Sequence, residues 1–107
     1  MNTITGEYLS NRYHPRVLAG LKVKLKTARG VITSQALDLS MAGVLVEGEV
    51  AAMAERLTLA IQLPKDRTIV TGARVRRFSD GNTGIEFDQL DWEDLFALAR
   101  FLHPRLP

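Results

Sequence analysis

The chain contains no cysteine and only two histidines among its 107 residues. Without cysteine, disulfide bonds and thiolate metal sites are excluded. His14 and His103 lie near opposite ends of the chain with no carboxylate at ligand spacing, so we expect no zinc or iron site. The sequence also lacks a Ser-His-Asp set, a pair of carboxylates placed for catalysis and a phosphate-binding glycine loop. An enzyme is therefore the least expected class, with no catalytic residues assigned.

Long hydrophobic runs are missing as well. No apolar stretch approaches the roughly 20 residues that cross a bilayer, so no membrane span is predicted. Residues 1–7 have neither the basic nor the apolar region of a secretory signal, and we expect a cytoplasmic protein. The hydrophobic share of 46% and charged share of 24% are ordinary for a soluble globular protein, and the length suits one domain.

The net charge of +2 says little about partners, but the basic residues are clustered. The acidic residues concentrate after position 80, whereas the basic residues gather in three places: Arg12 with Arg16; Lys22, Lys24 and Lys26; Arg74, Arg76 and Arg77. Such clusters either line one anion site or form solvated faces.

Alternation of apolar and polar residues predicts strands over most of the chain. The predicted strands, punctuated by turn residues, are 21–26, 31–39, 44–46, 57–63, 68–78 and 84–87. Gly72 predicts a bulge or bend within the fifth of them. Six short strands favour a small antiparallel barrel, closed or nearly closed, because closure removes exposed strand edges.

The two ends of the chain depart from this pattern. Residues 1–20 show no clear period, and the residue before Pro15 is pushed out of the helical region, so they are predicted to form an arm. The barrel and its helix then occupy residues 21–107. Asp91 is the predicted N-cap of that helix, and Pro104 ends it.

Apolar residues recur at helical spacing along this last segment, and we expect them to pack over the barrel: Trp92, Leu95, Phe96, Ala99 and Leu102. The only tryptophan of the chain and the helix phenylalanines should then supply much of the buried area.

An acid and a hydroxyl lie just before a glycine, where the second predicted strand gives way to the third. Asp38 and Ser40, at positions i and i+2, point to the same side of an extended backbone and can face one ligand. Gly43 removes the side chain that would keep a ligand off the backbone, and it tolerates positive φ if the turn needs it. Short polar side chains also bond nearby turn backbone, and the two roles are compatible.

The arm carries Arg12 and Arg16, four residues apart. These two stretches resemble the RxxxR and D/NxSxxG motifs of the PilZ domain family, which binds the bacterial second messenger cyclic di-GMP. The run Gly84-Ile85-Glu86-Phe87 is similar to the late G-(V/I)-x-F strand of that family. The resemblance implies a mainly β protein, a six-stranded antiparallel PilZ-type barrel with a C-terminal helix.

The resemblance also implies the ligand-binding residues, which are Arg12, Arg16, Asp38, Ser40 and Gly43. Guanidinium groups suit phosphates or the O6 and N7 edge of guanine, and a carboxylate can accept from its N1 and N2 donors. A residue on a later strand often covers a guanine face in this family. Here Arg76 is favoured, with Arg74 close behind and Arg77 the third choice, because alternation from Val75 places both flanking arginines on the opposite face.

Asn11 stands where family members that bind a stacked ligand dimer carry a further arginine, so one nucleotide per site is expected. The function implied is a receptor that changes its arm conformation on binding and signals to an unidentified protein partner, with no cofactor besides the nucleotide. The alternatives are a PilZ-like interaction module that binds no nucleotide and a basic barrel for RNA or single-stranded DNA. The second alternative is disfavoured because the chain has only seven aromatic residues.

Overall fold

The computed structural model describes residues 16–105, which form a closed antiparallel barrel followed by one helix. Its elements are β1 Val17–Thr27, β2 Gly30–Leu39, β3 Gly43–Val46, β4 Arg56–Leu63, β5 Arg67–Ser79, β6 Asn82–Phe87 and α1 Trp92–Leu102, with a 3-10 turn over His103–Arg105. The order around the barrel is β1-β2-β3-β6-β5-β4, and pairing of β1 with β4 closes it. The mainly β fold predicted from the sequence, a six-stranded barrel with a C-terminal helix, is confirmed.

The first strand begins earlier than its sequence pattern predicts. Val17 is buried and pairs with Leu39, so residues 17–20 belong to β1 and the predicted arm of residues 1–20 is too long at its C-terminal end. The register between β1 and β2 shifts between Leu18 and Leu21. Burial still alternates from residue 17 onward, but the outward-facing residues 18 and 20 are a leucine that is 88% exposed and a glycine, so the apolar and polar sequence pattern starts only at position 21.

The alternating residues of the strands fill the barrel interior. Val23 and Leu25 of β1 stand opposite Ile61 and Leu59 of β4, and all four side chains have no exposed surface. Burying an aliphatic side chain of this size contributes about 1.5–3 kcal/mol each. This shared interior holds β1 against β4 and fixes the register that closes the barrel.

Gly72 does not interrupt β5, contrary to the expected bulge or bend. Its pairing with Thr58 lies within an unbroken ladder between β4 and β5. A Cβ at Gly72 would meet the end of the Asp88 side chain, which is partly exposed and can shift. The irregularity of β5 lies instead against β6, between Val75 and Arg77.

The C-terminal helix begins and ends where its sequence indicates, but it buries a different face. The Asp91 carboxylate accepts a hydrogen bond of 2.8 Å from the backbone N–H of Asp94, which confirms the predicted N-cap. Leu98 and Leu102 are buried. Trp92 is 72% exposed, so the prediction that the tryptophan supplies buried area is wrong.

Trp92 is exposed because the stripe of α1 that contacts the barrel lies at a different angle around the helix axis. Leu98 and Leu102 fill this stripe, and Arg67 at the start of β5 donates to the Asp94 carboxylate over 2.8 Å. Trp92 and Phe96 lie off this side and contact each other, with ring centroids 5.8 Å apart. Phe96 is 54% exposed, so the two rings form an apolar pair on the surface.

Candidate functional site

The two sequence motifs meet where β1 begins and β2 ends. Arg16 directly precedes β1, and its Nη1 donates to Asp38 Oδ1 over 3.0 Å. The Asp38 side chain is 17% exposed and that of Arg16 41% exposed, so the pair is accessible from solvent. Arg12 lies outside the residues that the structure describes.

The chain turns between β2 and β3 around the hydroxyl of Ser40, which is buried. Its Oγ accepts from the backbone N–H groups of Ala42 and Gly43, each over 3.2 Å, and lies 3.4 Å from the carbonyl oxygen of Gly43. The backbone N–H of Ser40 donates to the same carbonyl over 2.9 Å. Ser40 therefore holds the turn that presents the motif, as expected for a short polar side chain at such a position.

Gly43 is required by the approach of another strand. It pairs with Glu86 of β6, and a Cβ on it would collide with the backbone carbonyl of Ile85. Gly43 is absent from the residues with positive φ in the described chain, so the turn does not require glycine for its backbone angle. Close contact between β3 and β6 is the physical reason for this glycine.

Two consecutive arginines reach the same side of β5 because of its bulge. Val75 pairs with Ile85 and Arg77 pairs with Gly84, which leaves Arg76 as the extra residue. The Arg76 and Arg77 side chains are both exposed, and both line one groove. Simple alternation would have sent them to opposite faces.

These residues line a groove of about 200 Å³, here called the arginine groove. Its lining is Arg16, Ser40, Ala42, Gly43, Val44, Arg76, Arg77, Gly84, Ile85 and Glu86. Of the sequence-predicted site residues, Arg16, Ser40, Gly43 and Arg76 are brought together there. Asp38 contacts the groove through its ion pair with Arg16.

The arginine groove is positively charged. Arg76 Nε lies 3.2 Å from Glu86 Oε1, and Glu86 is the only carboxylate that lines the groove within residues 16–105. The Arg77 side chain lies over Gly84, where an added Cβ would come within 2.8 Å of Arg77 Cγ. Among the described residues, Arg77 has no carboxylate within ion-pair distance. Such a groove suits a ligand with anionic oxygens or carbonyl acceptors.

A model of the PilZ domain family matches residues 10–103. The chain belongs to the PilZ family. The family resemblance stated from the two motifs is thereby confirmed. The comparisons indicate no catalytic family.

Solved PilZ structures share the fold. The Bacillus subtilis inhibitor of motility MotI/DgrA is 28% identical with a TM-score of 0.74, over 86% of this chain and 49% of that one. The PilZ domain of Escherichia coli YcgR with c-di-GMP is 17% identical with a TM-score of 0.68, covering 86% and 88%. Borreliella burgdorferi PlzA in complex with c-di-GMP is 19% identical with a TM-score of 0.64, covering 90% and 45%.

This chain thus spans about half the length of the MotI/DgrA structure. The likeness to YcgR and PlzA shows the fold alone. No curated protein matches the chain.

Arg77 and Glu86 are charged groove residues of this PilZ domain that the sequence did not favour as ligand contacts. Arg77 was the third choice among the β5 arginines, whereas Arg74, the second choice, does not line the groove. The signal that would have favoured Arg77 is Gly84, which stands opposite it and leaves room for its side chain. In the sequence, Glu86 occupies only the variable position x of the G-(V/I)-x-F motif, which gives no indication of its role.

Between residues 16 and 105, no group of three or more histidine, aspartate or glutamate side chains is placed to hold a metal ion. No helix in that range is long and apolar enough to cross a membrane.

Proposed function

We propose that this PilZ protein is a non-catalytic receptor for cyclic di-GMP that acts in the bacterial cytoplasm. The observation that carries the proposal is the convergence of Arg16, Arg76 and Arg77 on one groove, beside the Asp38 carboxylate. Two of the similar PilZ structures, those of YcgR and PlzA, contain c-di-GMP. The family membership and the charge of the groove both support this ligand.

The chemistry of the ligand fits the residues available. In this proposal Arg12 and Arg16 bind the phosphates or the O6 and N7 edge of guanine, since guanidinium groups make paired hydrogen bonds to both. The Asp38 carboxylate accepts from the N1 and N2 donors of guanine. Arg76 lies flat against a guanine face by guanidinium stacking.

Ser40 and Gly43 act mainly through the backbone. Ser40 holds the turn through its hydroxyl, and Gly43 allows β3 to lie close against β6 at the edge of the groove. Both residues therefore shape the groove in which the nucleotide would rest. At about 200 Å³ the groove is smaller than the roughly 300–1,000 Å³ of typical ligand pockets, so it would take only part of the nucleotide.

Binding would change the contacts that Arg16 makes. Its guanidinium is paired with Asp38, and a phosphate competes for the same donors. In the proposal, nucleotide holds Arg12 and Arg16 together and changes the conformation of the arm, which alters the surface offered to a partner protein. A ligand that binds one of two arm states shifts the population toward that state. Asn11, in place of a third arginine, favours one nucleotide per site.

The test is calorimetric titration of cyclic di-GMP into the wild-type protein and into the variants Arg12→Ala, Arg16→Ala and Asp38→Ala. Lys24→Ala serves as a matched control, because Lys24 is an exposed cation on β1 that does not line the groove. We expect saturable binding that is lost in the three variants and kept in the control, with all proteins folded. Its stoichiometry measures the number of nucleotides per site.

Absence of heat and of a thermal shift at saturating nucleotide would refute the receptor proposal. The protein would then be a PilZ module that binds partners without nucleotide. The exposed Trp92 and Phe96 rings are the feature that favours this second candidate, since paired exposed aromatics are typical of interaction surfaces.

A further inference from the structure

A second pocket lies at the other end of the barrel, between the β4–β5 turn and the end of α1. It has a volume of about 460 Å³. Arg67, which lines it, and Arg76, which lines the arginine groove, stand near opposite ends of β5, about 30 Å apart at the usual rise of a strand. The two sites are therefore separate.

The rim of this pocket is strongly cationic, and it is called the basic pocket here. Four basic side chains line it, with no acidic residue among its described lining: Lys65, Arg67, Arg100 and Arg105. The nearest carboxylate partner is Asp94, which bonds Arg67 over 2.8 Å. Across residues 16–105, the other three cations have no carboxylate within ion-pair distance.

Two of these arginines are held in place. Arg105 donates to the backbone carbonyl of Phe101 over 2.7 Å, and its guanidinium carbon lies 4.0 Å from the centre of the Phe101 ring. Arg67 is fixed by Asp94, and its Nε atom is buried with no hydrogen-bond partner in the described chain. Fixed guanidinium groups lose less side-chain entropy on binding than mobile ones.

The floor of the basic pocket is apolar and recessed. Leu63 is buried, Phe101 is half-buried, and the exposed Pro64 and Pro104 complete the apolar lining. A recessed apolar floor takes a side chain that projects from a partner, whereas a bilayer surface is flat. Stacked nucleobases need a free aromatic face, whereas Arg105 covers one face of the Phe101 ring and Phe101 is half-buried against the core.

We propose that the basic pocket is a docking site for an acidic peptide segment of a partner protein, in which an apolar side chain is flanked by carboxylates. The apolar side chain fills the floor, and the carboxylates pair with Lys65, Arg100 and Arg105. Complementary charge favours both the encounter and the choice of partner. The proposal does not depend on nucleotide binding, and its test contains no nucleotide.

The probe is a short fluorescein-labelled peptide that alternates glutamate with leucine and phenylalanine, followed by fluorescence anisotropy. We expect saturable binding to the wild-type protein and affinity at least about tenfold weaker for Lys65→Glu with Arg100→Glu. The matched control is Lys24→Glu with Lys26→Glu, which makes the same charge change on the exposed face of β1. This control should bind within about twofold of the wild type.

Further probes separate charge from fit. A peptide with glycine in place of every leucine and phenylalanine should bind at least about tenfold more weakly, because the floor is left empty. Equal binding of the glycine peptide, equal loss in both double variants, or no saturable binding of the first peptide would each overturn the proposal. One further result would also overturn the proposal. In it, the acidic peptide is not bound, whereas phosphatidylserine vesicles or single-stranded DNA are bound and this binding is lost only in Lys65→Glu with Arg100→Glu.

Discussion

Arg16 and Asp38 form an ion pair of 3.0 Å between the residue before β1 and the end of β2. The pair follows from strand register: Leu18 stands opposite Asp38, and Arg16, two residues earlier on the same side, is its diagonal neighbour. The last residue of one motif is thereby joined to the first residue of the other. The contact occupies one guanidinium nitrogen and one carboxylate oxygen, so a ligand that uses those two atoms must replace it.

We predict that this ion pair contributes little to stability. Arg16→Ala and Asp38→Ala should each lower the free energy of unfolding by no more than about 1 kcal/mol, since solvent screens accessible pairs. Urea unfolding of the wild type, both single variants and the double variant measures the coupling energy. A coupling of several kcal/mol would show a structural bridge, and loss of nucleotide binding in these variants could then reflect loss of fold.

Gly43→Ala should destabilise the barrel. The added Cβ would meet the backbone carbonyl of Ile85, which cannot move without separating β3 from β6, so we expect a loss of about 1–3 kcal/mol or more. Gly20→Ala is the matched control, because its Cβ would meet only the flexible end of Gln35, at 3.3 Å. Chemical unfolding compares the two variants.

A fully stable Gly43→Ala protein that no longer binds cyclic di-GMP would contradict this reason for the glycine. It would instead support the interpretation drawn from the sequence, in which Gly43 leaves space for the ligand. The two interpretations therefore predict different stabilities for the Gly43→Ala protein in the absence of nucleotide.

Local sequence patterns predicted most of the fold because a barrel strand buries alternate residues, which are therefore apolar. Asp91 was also readable, since an N-cap depends on a few neighbouring residues. The two-residue turn between β5 and β6, Asp80-Gly81, has positive φ at both residues, as such hairpins require. The family was predicted from two motifs that lie apart in the sequence. Pairing of β1 with β2 brings these motifs together.

The sequence could not predict features that arise between strands. The bulge that brings Arg76 and Arg77 to one side of β5 depends on the register with β6, and nothing within β5 marks its position. The face that α1 buries depends on how Leu98 and Leu102 fit against the barrel, which is built from residues far apart in the chain. The role of the Ser40 hydroxyl was left open because a turn and a ligand use the same atoms.

Trp92→Ala should change stability far less than Leu98→Ala. Trp92 is 72% exposed and contacts Phe96, so we expect a cost within about 1 kcal/mol. Leu98 has no exposed surface, and truncation of a buried leucine typically costs about 2–5 kcal/mol. Thermal and urea unfolding of both variants measure the difference. A large loss of stability in Trp92→Ala would support the packing predicted from the sequence, in which the tryptophan is buried.

Glu55 should stabilise the protein only while it is ionised. Its carboxylate accepts from the backbone N–H groups of Ala28, over 2.8 Å, and Ala52, over 2.9 Å, and so ties the β1–β2 turn to the segment before β4. These hydrogen bonds, first that from Ala28 and then that from Ala52, lower the pKa of Glu55 below its ordinary value of 4.5, and nearby Arg29 adds to the effect.

The sign of the pH dependence follows from proton binding. Because the folded pKa is the lower one, the unfolded chain binds the proton more readily, and the contribution of Glu55 is present above pH 4.5 and is lost as the pH falls through the folded pKa. Glu55→Gln should therefore be less stable than the wild type at neutral pH, with a difference that shrinks in acid. Urea unfolding across this range tests it, with Glu49→Gln as an exposed control of equal charge change. A difference that stays constant with pH would mean that ionisation of Glu55 does not matter and that its shape alone holds the turn.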